Sequence, residues 1–166
     1  GVFQQGDEIE IFPSGQRTTV KSIEKYGEKK DTVVVGENAT LLLDEEIDAS
    51  RGNAIVKTKH GLKTDKQVKA KVCWMQSNDL NPNSKYWLQQ GVYKSLVKIN
   101  GVDSKMDWEA WKSVPTDHLG MNDIGRIRIR TTQPLYYDSY RRNRYTGSVI
   151  FIDEQTQETV GAGMII

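Results

Sequence analysis

The apolar residues of this chain recur at the two-residue period of β-strands along almost its whole length. Glu8–Phe12 alternates polar and apolar side chains before a Pro-Ser-Gly turn, and Val68, Ala70, Val72 and Trp74 alternate with polar neighbours further on. A period of two places successive side chains on opposite faces of a sheet. Short strands of this kind, separated by turn residues, predict an all-β chain built as a small barrel or a sandwich.

Other strands are predicted from β-branched or alternating runs bounded by Gly, Pro, Asn or Asp. They cover residues 18–23, 32–35, 39–43, 54–57, 85–89, 92–100, 125–132, 146–153 and 159–165. Residues 105–112 are the one stretch with helical character, and they are few for a helix that must be stable by itself.

A change of composition at Lys57–Lys66 divides the chain. This segment is polar and rich in lysine, which is typical of a linker between domains. The predicted domains are residues 1–63 and 64–166, each near the lower end of the size that sustains its own core. The sequence begins with no methionine and runs almost directly into a strand, so we expect it to be cut from a longer chain.

Charge and cysteine content exclude several classes of protein. Lys and Arg number 23 against 22 Asp and Glu, a net charge of +1 with both signs spread along the chain, whereas nucleic-acid binders carry a basic field. Cys73 stands alone, so neither an intramolecular disulfide nor a cysteine zinc site is expected, in agreement with a cytoplasmic location. No apolar run has the length of a membrane span, so no membrane partner is expected.

Two blocks of sequence carry motifs in a recognisable order. The first extends from Gly6–Ile9 to Asp44–Gly52, and the second from Leu119–Arg126 to Thr159–Ile165. They resemble the large, GTPase subunit of bacterial two-subunit sulfate adenylyltransferase downstream of its nucleotide-binding domain and, more loosely, domains II and III of elongation factor Tu. The Glu-Ile-Asp-Ala-Ser-Arg-Gly and Asn-Asp-Ile-Gly-Arg segments distinguish the sulfate enzyme from the translation factors.

The resemblance implies two consecutive small β-barrels like domains II and III of translation-factor GTPases, with the usual first strand of domain II missing upstream of Gly1. It also implies that the whole enzyme converts ATP and sulfate to adenylyl sulfate and pyrophosphate on a separate catalytic subunit, while the GTPase subunit hydrolyses GTP to drive the reaction. The expected partners of these barrels are the GTPase domain of the same chain and the catalytic subunit.

GTP and Mg²⁺ are expected as cofactors of the parent chain and not of these residues. Phosphate binding needs a Gly-rich loop with a lysine and Mg²⁺, and the sequence contains neither Gly-x-x-x-x-Gly-Lys-[Ser/Thr] nor Asn-Lys-x-Asp. We therefore predict no catalytic, cofactor-binding or metal-binding residue here. The chain alone is expected to bind no GTP and to catalyse nothing, although its parent is an enzyme.

The densest basic and aromatic segment predicts an interface. Its candidate residues are Asp138, Arg141, Arg142, Asn143 and Arg144, with four tyrosines around them. Arg and Tyr are enriched at the centres of protein–protein interfaces, and they also suit phosphate or RNA. A third interpretation is a plain loop in which Asp138 pairs with a neighbour. We favour the interface and place RNA last.

Other chemistry-bearing residues have simpler interpretations. The acidic run at 44–48 is interpreted as a solvated turn, His60 and His118 as exposed loop residues, and Cys73 as an unreactive thiol. The four tryptophans are assigned to core or interdomain packing. Turns with positive φ are expected at Gly15, Gly52, Gly120 and Gly125, and close approach of a neighbour at Gly161 and Gly163.

The sequence leaves two further classes of function open. A tRNA- or ribosome-binding barrel pair of a translation-factor GTPase is the alternative, because related folds serve different functions. A free-standing β-barrel binding module is the third.

Overall fold

The alternating pattern forms strands in the computed structural model, which describes residues 1–58 and 63–166. These residues divide into two compact units, Gly1–Gly61 and Leu62–Ile166. None of the described helices has the length and apolar character that crossing a membrane requires. The predicted all-β fold class is confirmed.

In residues 1–58 of the first unit, seven short strands surround a small apolar core. In Glu8–Phe12 the side chains of Ile9 and Ile11 are fully buried while Glu8 is exposed, as the alternation predicts. Ile9 packs with Val20, Ile23 and Val33. The strands are β1 (Val2–Gln4), β2 (Glu8–Phe12), β3 (Gln16–Lys25), β4 (Glu28–Lys30), β5 (Thr32–Val34), β6 (Thr40–Leu43) and β7 (Ala54–Lys57).

The strands of this unit form a half-barrel. The sheet has the order β4-β3-β2-β7, β6 pairs with the C-terminal half of β3, and β1 and β5 form a separate antiparallel ribbon. Lys57 on β7 holds the start of β2 through an ion pair, with its Nζ 2.7 Å from Oδ2 of Asp7.

The second unit contains the longer strands and the only described helix. Long strands such as β10 and β12 bend around the core, and shifts of register mark where they do so. The elements are β8 (Lys63–Trp74), β9 (Lys85–Gln90), β10 (Tyr93–Asp107), β11 (Lys112–Pro115), β12 (Ile124–Tyr137), α1 (Arg144–Gly147), β13 (Ser148–Asp153) and β14 (Thr159–Ile165).

Six of these strands close into a barrel. The order is β10-β12-β8-β14-β13-β9, and β9 pairs back onto β10, so that the sheet has no open edge among them, while β11 extends β10 outside the barrel. The interior holds one continuous cluster, in which the largest fully buried side chains are Trp74 and Phe151. The inward residues of β8, which are Val68, Ala70, Val72 and Trp74, are those that its alternation predicts.

The structure corrects several local predictions. Residues 105–112 are not helical, because β10 continues to Asp107 and β11 starts at Lys112, with a tight turn between them. Oδ1 of Asp107 accepts hydrogen bonds from the backbone N–H groups of Glu109 and Ala110 at 3.0 Å, which favours the turn over a helix. The strand predicted at 146–153 starts at Ser148, since helix α1 precedes it.

The predicted linker is shorter than expected. Strand β7 reaches Lys57 and β8 starts at Lys63, so only the middle of the segment separates the two units. The prediction for His60 falls at 59–62, outside the described residues. The domain boundary after residue 63 stays a prediction.

Of the other interpretations made from the sequence, some agree with the structure and some do not. The acidic residues at 44–48 are exposed and His118 is largely exposed, as expected. Trp74 lies in the core, but Trp108 and Trp111 are 47% and 74% exposed, so core packing is wrong for both. Positive φ is confirmed at Gly15 and Gly52 and is wrong for Gly120 and Gly125.

Candidate interaction surface

The predicted interface residues lie on the connection from β12 to β13, which runs through 138–143 into α1. Three backbone hydrogen bonds fix its path. The N–H groups of Arg142 and Asn143 both donate to the carbonyl of Ser139, at 2.9 and 3.1 Å, and Tyr140 N–H donates to the carbonyl of Ile165 at 2.9 Å. The last bond attaches the connection to the end of β14, so its side chains project from a fixed backbone.

Asp138 supports this connection from inside. Its side chain is only 7% exposed, Oδ2 accepts a hydrogen bond from Oγ1 of Thr146 at 3.0 Å, and Oδ1 lies 3.4 Å from Nε of Arg142. A buried carboxylate needs such partners because its desolvation is costly. Asp138 is therefore placed to hold Arg142 and α1, as the loop interpretation expected.

Asn143 caps the short helix α1. Its backbone is extended, with φ −148° and ψ 112°, and Oδ1 accepts a hydrogen bond from Tyr145 N–H at 3.0 Å. Asparagine is among the preferred N-cap residues because its side chain satisfies an N–H group that has no partner within the helix. This explains why a helix forms where the strand period alone predicted β-structure.

The three arginines face solvent. The guanidinium of Arg144 lies 5.9 Å from the centre of the Tyr140 ring, a cation–π contact that orients it, and Tyr145 beside it is 91% exposed. Arg142 remains 60% exposed despite its contact with Asp138. The predicted residues thus separate into outward cations and two residues that support the local backbone, the buried Asp138 and the helix cap Asn143.

Arg141 borders a surface groove of about 560 Å³. The groove has an apolar part at the C-terminal end of β14, including Met164 and Ile166, which are 38% and 46% exposed. Lys71 of β8 and Arg126 of β12 line its other side. A groove with apolar and cationic walls suits contact with another macromolecular surface.

The sequence did not single out the buried side chain that closes this region. Gln90 on β9 is 2% exposed. Its Nε2 donates to the carbonyl oxygens of Tyr136, at 3.0 Å, and Thr146, so it ties the end of β12 to α1. A polar residue at an inward position of the Tyr86, Leu88, Gln90 alternation was the signal available for it.

Gly147 is a second determinant that the sequence did not single out. A Cβ atom at this position would overlap the backbone of Tyr140, so only glycine allows α1 to pack against the connection.

Nearby, burial raises the pKa of both Tyr93 and Tyr136, whose rings meet edge to face with centroids 5.7 Å apart. These two phenols act as neutral packing groups under the surface.

The fit of GTP and Mg²⁺ to these residues is poor. Within 1–58 and 63–166, no three His, Cys, Asp or Glu residues are grouped so that they could hold a metal ion. The described glycines with positive φ are separated from one another along the sequence, whereas a phosphate cradle needs successive N–H groups and a lysine in one loop. No chemical step is assigned to this surface.

Comparison with known proteins agrees with the fold and the motifs. The family model described as GTP-eEF1A C-terminal domain-like matches residues 67–166. Sulfate adenylyltransferase subunit 1 of Alteromonas mediterranea is 36% identical over 166 residues, covering 100% of this chain and 35% of the relative. The bifunctional enzyme CysN/CysC of Rhodopirellula baltica is 34% identical, covering 100% of this chain and 26% of the relative.

Solved structures give the same architecture. Sup35 complexed with GDP matches with a TM-score of 0.85 at 15% identity, covering 100% of this chain and 41% of that chain. At this identity the match shows the fold alone.

The chain spans about a third of the length of the sulfate adenylyltransferase subunit 1 that it matches, and the resemblance drawn from its motifs is confirmed. The chain belongs to the GTP-eEF1A C-terminal domain-like family and is homologous over its full length to part of sulfate adenylyltransferase subunit 1.

Proposed function

We propose that this chain is the non-catalytic barrel region of the GTP-hydrolysing regulatory subunit of sulfate adenylyltransferase. In this proposal the parent chain uses GTP and Mg²⁺ on its nucleotide domain, in the cytoplasm, to drive the conversion of ATP and sulfate to adenylyl sulfate and pyrophosphate. The observation that carries the proposal is the similarity of all 166 residues to subunit 1 of that enzyme.

The role of the barrels is to dock, in our proposal, on the GTPase domain of the same chain and on the catalytic subunit. A nucleotide switch affects a partner only through contacts that differ between its two states. A closed barrel is a rigid body, so it can carry a displacement at one surface to another surface. The exposed arginines at 141–144 support this role because arginine is enriched at interfaces.

A deletion experiment tests the docking role. The full-length parent chain and a version that lacks the segment homologous to 1–166 are each captured with the purified catalytic subunit. We expect the deletion to abolish capture, since the barrels supply the contact. Undiminished capture by the shortened parent would overturn the docking role.

The translation-factor alternative is tested with the same proteins. A barrel pair that serves tRNA would bind it with an affinity that falls steeply as salt increases. We expect the chain to show no such affinity beyond nonspecific binding. Tight and salt-dependent binding of tRNA, together with no capture of the catalytic subunit, would favour the alternative.

A further inference from the structure

The outer surface of the second barrel carries a cluster of cations, although the net charge of the chain is close to zero. Nine exposed Lys and Arg residues lie on three adjacent strands, β8, β12 and β10, and six of them lie opposite one another across the strands and point away from the core. Residues 63–166 carry 15 Lys and Arg against 11 Asp and Glu. We call this surface the basic face; it consists of Lys69, Lys71, Lys98, Arg126, Arg128 and Arg130.

The strand register places these cations directly opposite one another. Lys71 pairs with Arg126 and Lys69 with Arg128 across β8 and β12. On the other side of β12, Arg130 pairs with Lys98 of β10. Directly opposite side chains have Cβ atoms about 4.5–5.5 Å apart, and like charges at that distance destabilise the sheet. Three such pairs in one patch favour a functional explanation over a purely structural one.

Few of the carboxylates that the structure describes neutralise the basic face. Nε of Arg128 lies 2.9 Å from Oδ1 of Asp103. Among the residues that the structure describes, the other five cations form no ion pair with a carboxylate. The positive potential is therefore available to a partner, and a partner with carboxylates would relieve the repulsion between the pairs.

Apolar concavities open between these cations. Lys71 and Arg126 line both the 560 Å³ groove with Met164 and Ile166 and a smaller concavity of about 180 Å³ with Met106 and Trp108. A partner for this surface must supply apolar groups for the exposed apolar side chains and anionic groups for the unpaired cations. A protein surface supplies aliphatic side chains and carboxylates together, whereas a phosphodiester backbone would leave the methionines and Ile166 against a polar surface.

We propose that the basic face binds an acidic protein surface, in which carboxylate side chains meet the paired cations and apolar side chains enter the two concavities. The assignment of that surface to the catalytic subunit rests on the function proposed above. The cross-strand pairs then act as a charge pattern that selects the partner and accelerates association.

The register offers a test in which folding and binding change in opposite directions. In the double variant Arg126→Glu/Arg130→Glu, each new carboxylate lies opposite a lysine, Lys71 or Lys98, so repulsion becomes attraction. We expect the thermal midpoint to be unchanged or higher. The matched control, Lys21→Glu/Lys94→Glu, makes the same change in net charge at two exposed lysines that are not among the six residues of the basic face.

Binding of the purified catalytic subunit is measured for the chain and both variants at two salt concentrations. We expect the double variant to lose at least tenfold in affinity and most of the salt dependence, and the control to lose less than threefold. Equal affinity of the double variant and the unaltered chain would overturn the basic face and leave the proposed function intact. Absence of binding by the unaltered chain would overturn both.

Total tRNA is the competing probe in the same measurement. Binding of tRNA that is lost in Arg126→Glu/Arg130→Glu and retained in the control would overturn the protein partner in favour of nucleic acid. Failure of tRNA to compete with the catalytic subunit is the result that we expect.

Discussion

Lys105 and Asp123 join two neighbouring segments of the second barrel through an ion pair, with Nζ of the lysine 2.9 Å from Oδ2 of the aspartate. The same oxygen accepts the backbone N–H of Gly120 at 2.9 Å. Burial alone would raise the pKa of Asp123, but the hydrogen bonds from Gly120 and Lys105 outweigh it and lower the pKa below its ordinary value.

The lowered pKa of Asp123 predicts a pH-dependent effect of its removal. Because the pKa in the folded state is lower than in the unfolded chain, the contact stabilises fully above the ordinary pKa of about 3.9 and is lost as the pH falls through the folded-state value. We expect Asp123→Asn to lower the free energy of unfolding by about 1–3 kcal/mol at pH 7. The difference from the unaltered chain should shrink as the pH falls below about 4.

Urea unfolding, followed by tryptophan fluorescence at several pH values, measures the free energy of unfolding of Asp123→Asn and of the unaltered chain. Asp103→Asn is the matched control, since Asp103 pairs with the half-exposed Arg128 and surface pairs contribute at most about 1 kcal/mol. A difference for Asp123→Asn that stays constant with pH would contradict the assigned contact.

Gly161 is expected to tolerate no larger side chain. A Cβ atom there would lie 3.1 Å from the carbonyl oxygen of Cys73 and 3.4 Å from the Trp74 ring, so the close approach predicted from the sequence is confirmed. Gly161→Val should destabilise the barrel by about 1–3 kcal/mol, because the added atoms displace packed neighbours. Ala162→Val, at the next and exposed position of β14, is the control. Equal thermal midpoints for both variants would contradict this packing.

The inward and outward parts of the predicted interface are expected to respond differently to mutation. Asp138→Ala should lower the free energy of unfolding by about 1–3 kcal/mol, because it removes the acceptor for Thr146 and leaves Arg142 without its carboxylate. Arg144→Ala should cost at most about 1 kcal/mol, the worth of an exposed cation–π contact. Chemical unfolding of the two variants separates them, and the reverse order of stability would show that Asp138 is not a support.

Nucleotide binding is expected to be absent from the isolated chain. The sequence contains no phosphate loop, so equilibrium dialysis with GTP and Mg²⁺ should show no saturable binding. The full-length parent under the same conditions serves as the positive control. Measurable affinity or GTP hydrolysis by the chain itself would contradict the division of roles proposed here.

Much of the fold follows from the alternation of side chains, because a one-residue change of register would expose the whole core. Ile127 and Ile129 between Arg126, Arg128 and Arg130 already indicate which face of β12 is inside. The closure of the second barrel was not predictable in the same way. It depends on pairing between β9 and β10 and on bulges in β10 and β12, which local sequence does not specify.

The surface was harder to predict than the core. The segment at 138–144 was found from its composition, but the inward role of Asp138 depends on Thr146, which reaches it only once α1 has formed. The basic face was missed because a net charge of +1 is a sum over the chain. Only the register between strands shows that Lys71 lies opposite Arg126.

The central claim is that these barrels form a docking region of a sulfate adenylyltransferase regulatory subunit. Isothermal titration of the chain with the purified catalytic subunit tests it most directly. We predict saturable binding that weakens as ionic strength increases, because exposed cations contribute to the contact. The absence of a saturable signal at the highest attainable concentration would contradict the claim.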